Sequence, residues 1–239
     1  MFIMNNPIFK PTVIFCIPGN RFSDKFLQSW TYTLLSLQSK YNIHLSNKYS
    51  SQVNFARALC LGANVLSGPD QHPFQSKIKY DVIVWLDSDM VFNPNMIDKL
   101  IQTCFYKHKV LSGIYAMEGG ELLCCVENWD VEYYKKNGSF QFLSVKEGEE
   151  YIQQQKSTIN CAYVGMGCMA IRYGVLEDDR IKYPWFFRNI TTFEDNGKII
   201  TDGTSEDVSF IRNLIESNVI DNVVVDLSLR FGHEKTVVI

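Results

Sequence analysis

The 239-residue sequence has no long apolar run and no excess of basic charge. No stretch approaches the roughly 20 apolar residues of a membrane-spanning helix, so we expect no membrane span. The first residues do not combine a basic segment with an uninterrupted apolar core, and we therefore expect a cytoplasmic protein rather than an exported one. Because the formal charge is −3 and Lys and Arg are scattered, no basic stripe is available, and we expect no nucleic-acid partner.

The sequence also lacks a C-x-x-C motif. Its seven cysteines include one adjacent pair, Cys124 and Cys125, and several that lie in apolar segments, such as Cys16 and Cys104. This spacing argues against a disulfide framework or a zinc site and is typical of reduced, buried thiols. The cysteines therefore favour a reducing compartment.

An acidic motif follows the most apolar segment of the chain. Residues 82–86 (Val-Ile-Val-Trp-Leu) predict a buried strand, and Asp87-Ser88-Asp89 comes directly after it. Two unpaired carboxylates are too costly for a core, so we expect them at the carboxyl end of the strand, where open α/β sheets bind ligands. Magnesium and manganese prefer carboxylate oxygens and complete their shell with phosphate oxygens. The motif predicts a metal–phosphate site; the alternative is a solvated strand end before a helix that Asn93 caps.

Strand and helix patterns alternate along the chain. Apolar strands are predicted at 12–17, 41–45, 82–92 and 110–115. Apolar residues at helical spacing fill the segments between them, and with 46% hydrophobic residues the chain can form one sizeable core. We predict a single α/β domain of three layers, α/β/α, with a mostly parallel central sheet. In it, residues 12–117 would form a nucleotide-binding half and residues 118–239 an acceptor half.

The second half has more turn signals. Asn137-Gly138 lies between the apolar segments 131–134 and 140–145, which predicts a hairpin. Residues 161–172 predict a strand interrupted by two glycines, where backbone can approach a ligand closely. Residues 182–200 are aromatic and turn-rich and predict a surface excursion, in which aromatic side chains could form an apolar floor for a sugar or could simply pack in the core.

Three further positions could join the acidic motif, and each has an ordinary structural explanation. Arg57 lies on an otherwise apolar helix, where its guanidinium could reach a diphosphate or could lie at the surface with its stem packed down. Glu206 and Asp207 occupy the first turn of a helix after Ser205, where acidic residues favour the helix dipole regardless of function. His233 follows a glycine after the last predicted strand, where a lone histidine is more often structural than a ligand. Taken one at a time, these residues favour the structural explanation.

The order of these elements resembles that of the GT-A nucleotide-sugar glycosyltransferases. The matching features are Pro18-Gly19-Asn20 after the first strand, the Arg57 helix, Asp87-Ser88-Asp89, the Gly165-Met166-Gly167 strand, Ser205-Glu206-Asp207 at a helix start and the late Gly232-His233. They extend over residues 12–234, nearly the whole chain. The pattern resembles in particular small glycosyltransferase domains encoded by large DNA viruses, for which the compartment would be the host cytoplasm.

The resemblance implies an enzyme that transfers a hexose or deoxyhexose from a UDP-sugar to a glycan or glycoprotein acceptor. Asp87, Asp89 and His233 would hold Mn²⁺ or Mg²⁺. Asp207 would be the catalytic carboxylate, as general base in an inverting enzyme or as a charge-stabilising group in a retaining one, with Glu206 beside it. The remaining implied site residues are Ile17, Pro18, Gly19, Asn20, Arg57, Asp87 and Ser88 for the nucleotide, and Glu118, Gly165, Met166, Gly167 and Trp185 for the acceptor or sugar pocket.

Two other functions fit parts of the pattern. Haloacid-dehalogenase-like phosphatases also place Asp-x-Asp after an apolar strand, with the first aspartate, here Asp87, as nucleophile. Two strand-helix units precede the motif in this chain, however, and no Gly-Asp-x-x-x-Asp motif follows it. A non-catalytic protein that binds a sugar nucleotide or a carbohydrate would share the fold, because a fold alone does not imply turnover. That function would be preferred if Asp207 pointed away from the metal.

Overall fold

The computed structural model describes residues 9–235. The strands are β1 (Thr12–Pro18), β2 (Asn42–Lys48), β3 (Val82–Leu86), β4 (Met90–Val91), β5 (Val110–Ile114), β6 (Cys125–Val126), β7 (Thr158–Cys161), β8 (Tyr163–Val164), β9 (Cys168–Arg172), β10 (Ile190–Asp195), β11 (Lys198–Gly203), β12 (Val223–Arg230) and β13 (Gly232–His233). The α-helices are α1 (Asp24–Leu37), α2 (Val53–Cys60), α3 (Pro94–Lys107), α4 (Val131–Asn137), α5 (Val145–Gln153) and α6 (Glu206–Glu216). None of these helices is long and apolar enough to cross a membrane.

Seven strands form the central sheet, in the order β2-β1-β3-β9-β5-β12-β7. Strands β1, β2, β3, β5 and β12 point one way, whereas β9 and β7 run antiparallel to their neighbours. The predicted mostly parallel central sheet is therefore confirmed. Strand β9 comes from the second half of the chain but lies between β3 and β5 of the first half, so the two halves share one sheet.

A hydrophobic core lies on each face of the sheet. On one face, α1 and α3 bury Phe26 and Ile97 against Phe15 and Val84. On the other face, α2 and α6 pack against strand residues that include Trp85. Side chains of β1 and β3 alternate between the two cores, as expected for strands buried on both faces. The three-layer α/β class predicted from the sequence is confirmed.

Local sequence signals explain where the first-half helices begin. The Ser23 side chain accepts a hydrogen bond from the Phe26 amide at 3.0 Å and caps α1. Asn93 caps α3 by accepting from the Met96 amide at 3.1 Å, with Pro94 at the first helical position. Both caps satisfy amide groups that a helix start leaves without partners, and the helix start predicted at Asn93 is confirmed.

The hairpin predicted around Asn137-Gly138 is wrong, because residues 131–137 form helix α4. Asp130 caps α4 by accepting from the Tyr133 amide at 2.9 Å. Gly138 has a left-handed φ of 73° and ends the helix. The same dipeptide suits a tight hairpin turn and a helix C-cap, since both need a residue with positive φ. The helix cap upstream decides the outcome.

The inward face of helix α2 differs from the one that its apolar residues favour. Val53 and Leu59 on α2 are exposed, whereas Arg57 is buried and only 2% accessible. Helix α2 is therefore rotated so that its charged residue, and not these two apolar ones, faces inward. In the excursion at 182–200, the β10–β11 hairpin lies at the surface as predicted, but Trp185 is fully buried.

Candidate active site

The Asp-Ser-Asp motif lies at the carboxyl end of β3, where the buried strand leaves the sheet. The Asp87 amide donates to the carbonyl of Gly167 at 3.0 Å, and the Met90 amide donates to the Asp87 carbonyl at 3.1 Å, which closes a tight turn. The side chains of Asp87 and Asp89 are 30% and 40% exposed, respectively. Both carboxylates therefore reach solvent at the predicted edge of the sheet.

The loop after β1 packs directly against this turn. Gly19 has a φ of +139°, and a Cβ at this position would lie 2.7 Å from the Ser88 hydroxyl oxygen. The Asn47 side-chain amide donates to the carbonyls of Ile17 at 2.7 Å and Gly19 at 2.8 Å, which fixes the loop. Only glycine allows such a close approach at this backbone conformation. The structure thus brings together the loop Ile17-Pro18-Gly19-Asn20 and Ser88, whose role in nucleotide binding stays a prediction.

Arg57 forms a buried charge cluster below the turn. Its Nε lies 3.0 Å from Oε1 of Glu206, and its Nη2 lies 3.1 Å from Oδ1 of Asp87. Burial alone would lower the pKa of Arg57, but the charges of Asp87 and Glu206 outweigh burial and raise it. Nη1 is buried and has no hydrogen-bond partner among the described residues. The guanidinium therefore joins two predicted site carboxylates, and its Nη1 is left without an acceptor among the described residues.

His233 reaches the motif from the end of the described chain. Strand β13 pairs antiparallel with β4, and this pairing places His233 opposite Met90. Its Nδ1 lies 3.1 Å from the carbonyl oxygen of Ala116, and its Nε2 lies 3.2 Å from Oδ2 of Asp89. A carbonyl oxygen can only accept a hydrogen bond, so Nδ1 carries a proton. The other ring nitrogen, Nε2, faces the Asp89 carboxylate. The hydrogen bond with Asp89 raises the pKa of His233.

The Gly165-Met166-Gly167 segment supports this histidine indirectly. A Cβ on Gly165 would lie 2.3 Å from both the Cys124 sulfur and the Tyr115 hydroxyl oxygen, and one on Gly167 would lie 2.8 Å from the Tyr115 ring. The Tyr115 ring in turn packs edge-on against His233, with 4.8 Å between ring centroids. The glycines therefore make room for Tyr115, and the backbone approach that the sequence suggested is made to a side chain.

The donor set around Asp89 fits a divalent cation. A metal-bound histidine usually donates a hydrogen bond from one ring N–H to a backbone carbonyl or a carboxylate, which leaves the other ring nitrogen for the metal. His233 has this orientation, with Nδ1 towards a carbonyl and Nε2 towards Asp89. Without a cation between them, His233 Nε2 would have to carry a proton and donate a hydrogen bond to the Asp89 carboxylate. Within residues 9–235, no three His, Cys, Asp or Glu side chains lie close enough together to hold a metal ion by themselves. An open set of few protein ligands suits magnesium or manganese, which take further oxygens from phosphates and water.

Asp207 lies in the first turn of α6, beside Glu206. Its Oδ2 accepts a hydrogen bond from the Tyr163 hydroxyl at 3.3 Å, and its Oδ1 accepts from the Ser205 hydroxyl. Burial, and then the charge of Asp207, raises the pKa of Tyr163, so the phenol stays a donor. The Asp207 charge also helps to raise the pKa of Arg57, which places this carboxylate near the buried cluster. The Ser205 hydroxyl donates to Asp207 and makes no capping hydrogen bond with the backbone of the helix.

The predicted sugar-pocket residues are not all accessible. Glu118 is exposed in the turn after β5, where Gly119 and Gly120 have positive φ. Met166 and Trp185 are fully buried, and Trp185 packs edge-on against Tyr183. Their side chains cannot line an open pocket in this structure. Trp185 therefore belongs to the core, which was the alternative to a sugar platform, whereas Phe187 of the same segment is only partly buried.

Two contacts at the site escaped the sequence analysis. Lys235 Nζ lies 3.3 Å from Oδ2 of Asp89, and together with His233 it lowers the Asp89 pKa against the opposing effect of burial. In an extended chain, residues two apart lie on the same face, so the sequence could have placed Lys235 beside His233. Tyr163 lies on a two-residue strand that carries no pattern of its own. Its contact with Asp207 could be seen only in the structure.

Together, these elements form an α/β domain whose acidic turn, buried arginine and C-terminal histidine converge beside the carboxyl ends of β1 and β3. No protein-family model matches the sequence, and no curated protein matches it. Among solved structures, the chain is similar to A197 from STIV, with 13% identity, 96% of each chain covered and a TM-score of 0.49.

Two of the other similar structures carry an activity in their names. Glucosyl-3-phosphoglycerate synthase from Mycobacterium tuberculosis, in complex with Mn²⁺, UDP and phosphoglyceric acid, has 11% identity and a TM-score of 0.46 over 95% of this chain and 72% of that one. A glycosyltransferase involved in the glycosylation of the major capsid of PBCV-1 has 13% identity and a TM-score of 0.39 over 95% of this chain and 96% of that one. At these identities and scores, these structures assign no donor, metal or acceptor to this chain.

The geometry of His233 gives a first testable prediction. If this residue is a metal ligand, His233→Ala will weaken Mn²⁺ binding at least about tenfold in calorimetric titration. The melting temperature of the metal-free protein will fall by less than about 4 °C, which corresponds to roughly 1 kcal/mol in a chain of this size. His44 is exposed on the edge strand β2, and His44→Ala is the matched control. Unchanged Mn²⁺ affinity in His233→Ala would assign His233 a purely structural role.

Proposed function

We propose that this protein is a metal-dependent glycosyltransferase that moves a hexose or deoxyhexose from a UDP-sugar to a glycan or glycoprotein acceptor. One observation supports this function above all others. Asp89 contacts His233, and Asp87 contacts the buried Arg57–Glu206 pair; both contacts lie beside the loop after β1, although the residues are far apart in sequence. Carboxylates for a cation and a free guanidinium donor for an anionic oxygen are the groups that a nucleoside diphosphate requires.

The chemistry follows from where charge develops. When the bond between sugar and diphosphate breaks, negative charge accumulates on the leaving phosphate and positive charge on the sugar. A cation held by Asp87, Asp89 and His233 would offset the negative charge. Arg57 Nη1, which has no described acceptor, would donate to a diphosphate or base oxygen, while Glu206 holds the guanidinium in position.

Asp207 is the residue we assign to the acceptor side. Its carboxylate accepts hydrogen bonds from two hydroxyl groups, those of Tyr163 and Ser205, which orient it. In an inverting reaction, it would take the proton from the acceptor hydroxyl as that oxygen attacks the anomeric carbon. In a retaining reaction, it would stabilise the positive charge that develops on the sugar.

Calorimetry with UDP tests the donor side. We expect UDP to bind in the presence of Mn²⁺ and the affinity to disappear when EDTA removes the cation, because the diphosphate would share the cation with the acidic turn. Equal affinity in EDTA would contradict a metal-bridged donor site. Robust hydrolysis of simple phosphate esters, with trapping of Asp87 by beryllofluoride, would instead establish the phosphatase alternative. We expect neither.

A further inference from the structure

A cavity lies on the α6 side of the site and is lined by residues outside the predicted sugar pocket. Its volume is about 490 Å³, within the range of ~300–1,000 Å³ typical of small-ligand sites. Helix α4, the β10–β11 hairpin and α6 enclose it. The aromatic residues in its lining are Trp129, Tyr134, Phe140, Phe142, Phe187 and Phe193.

These aromatic side chains form an ordered wall. Phe140 is stacked between Trp129, with 3.9 Å between ring centroids, and Tyr134, with 4.9 Å. Phe193 of the hairpin contacts Tyr134 edge-on at 5.7 Å. All four rings are only partly buried, so the wall keeps an accessible apolar surface. Its polar lining comes mainly from short neutral side chains of the loop before α6 and of α6 itself.

The cavity adjoins Asp207 by two routes. Ser205 and Val208, which flank Asp207, line the cavity, and the Ser205 hydroxyl donates to the Asp207 carboxylate. On the other side, Phe142 of the lining packs edge-on against Tyr163, whose hydroxyl donates to Asp207. Asp207 does not itself line the cavity, but a molecule there would be separated from its carboxylate by only one or two side chains, Ser205 on one side and Phe142 with Tyr163 on the other.

The charges of the lining select against an anionic ligand. Among the lining residues, Arg212 is the one cation, and Asp202 and Glu216 are carboxylates. The Arg212 guanidinium stacks over the Trp129 ring at 4.6 Å and lies 3.1 Å from the Glu216 carboxylate. A phosphate or carboxylate ligand would need an unpaired Arg or Lys, which this lining does not offer. A lipid tail fits poorly as well, because it would desolvate the polar lining without replacing its hydrogen bonds.

We propose that this cavity is the acceptor site and that it takes a neutral saccharide. The inference rests on the proposed glycosyl transfer. A sugar ring offers apolar C–H faces to an aromatic wall and hydroxyl groups to neutral polar side chains, and this combination matches the lining. The saccharide hydroxyl nearest the Ser205 end would be the one that Asp207 deprotonates.

Two variants test the cavity, and a third serves as control. Phe193→Ala removes part of the wall. Gly203→Leu adds bulk at a lining position where a Cβ would meet nothing within 4 Å and where φ is not positive, so the variant should fold. Ile199 lies on the same hairpin and is 78% exposed, and Ile199→Ala is the matched control.

The measurement is binding to an array of neutral and acidic oligosaccharides in the presence of UDP and Mn²⁺. We expect the wild type and Ile199→Ala to bind neutral saccharides, and Phe193→Ala and Gly203→Leu to bind them about tenfold more weakly. Binding of acidic saccharides only, of no saccharide, or of neutral saccharides equally well by all four proteins would overturn the proposal. Calorimetry with UDP and Mn²⁺ reports the donor site separately, because wild-type protein that fails to bind UDP would contradict the proposed function itself.

Discussion

Asp207→Asn is expected to reduce sugar transfer at least about a hundredfold, because a positioned acid–base group typically contributes 10²–10⁴-fold in rate. The substitution keeps the size of the side chain, and its amide oxygen can still accept the hydrogen bond from Tyr163, but it removes charge and basicity. UDP binding should stay near normal, since no described contact links Asp207 to the acidic turn directly. Transfer is measured as UDP release that depends on the acceptor, and UDP affinity by calorimetry.

A helix-dipole role for Asp207 predicts a different outcome. Acidic residues in a first helical turn stabilise the protein by only about 0.3–1 kcal/mol through the dipole. Asp24 occupies the same turn in α1, is exposed and lies on a helix that contributes no assigned catalytic group, so Asp24→Asn is the matched control. If Asp207→Asn retains transfer and loses only as much stability as Asp24→Asn, the catalytic assignment is wrong, whereas the donor site is unaffected.

Arg57→Met is expected to lower the free energy of unfolding by about 3–5 kcal/mol, because it leaves the buried Glu206 carboxylate without its partner. The measurement is the urea unfolding midpoint, with the slope checked for a change in denatured state. Arg180 pairs with Asp178 at 2.7 Å at the surface, and Arg180→Met should lower the urea midpoint far less, because solvent screens an exposed ion pair.

A double substitution separates the charge of Arg57 from its packing. In Arg57→Met/Glu206→Met, the uncompensated carboxylate is removed, and apolar groups of similar size fill both positions. Replacing a buried ion pair in this way is often neutral or stabilising, so the double variant should be more stable than Arg57→Met alone. A double variant that is less stable would mean that Arg57 acts mainly through contacts other than Glu206, such as Trp85 at 5.6 Å from the guanidinium.

The parts of the fold that were predictable depend on local patterns. The run Val82–Leu86 had to be a buried strand, and Ser23 and Asn93 mark helix starts that the structure confirms. The position of β9 between β3 and β5 was not predictable, because its pairing depends on contacts with residues about 80 positions earlier. The hairpin prediction at Asn137-Gly138 was wrong for another reason. The same dipeptide fits a hairpin turn and the end of a helix, and the choice depends on the Asp130 cap.

The site was predictable only as a set of residues. Asp87 and Asp89 were chosen for the chemistry of their side chains and His233 for the resemblance to GT-A glycosyltransferases, and the β4–β13 pairing does bring Asp89 and His233 together. The burial of Arg57 was not foreseen, because the apolar residues of α2 suggest a different inward face. Two carboxylates from elsewhere in the chain stabilise this arginine in the interior, and such a partnership leaves no trace in the helix's own pattern.

The place of β9 in the sheet has a consequence for how the protein is made. A ribosome completes β3 and β5 by residue 114, yet the strand that joins them ends only at Arg172. During that interval, each has an open edge of unpaired peptide groups, which is a template for aggregation. A fragment that ends at residue 117 would keep these edges permanently. Residues 12–117, the predicted nucleotide-binding half, are therefore not a separable piece of protein and should be expressed only as part of the whole chain.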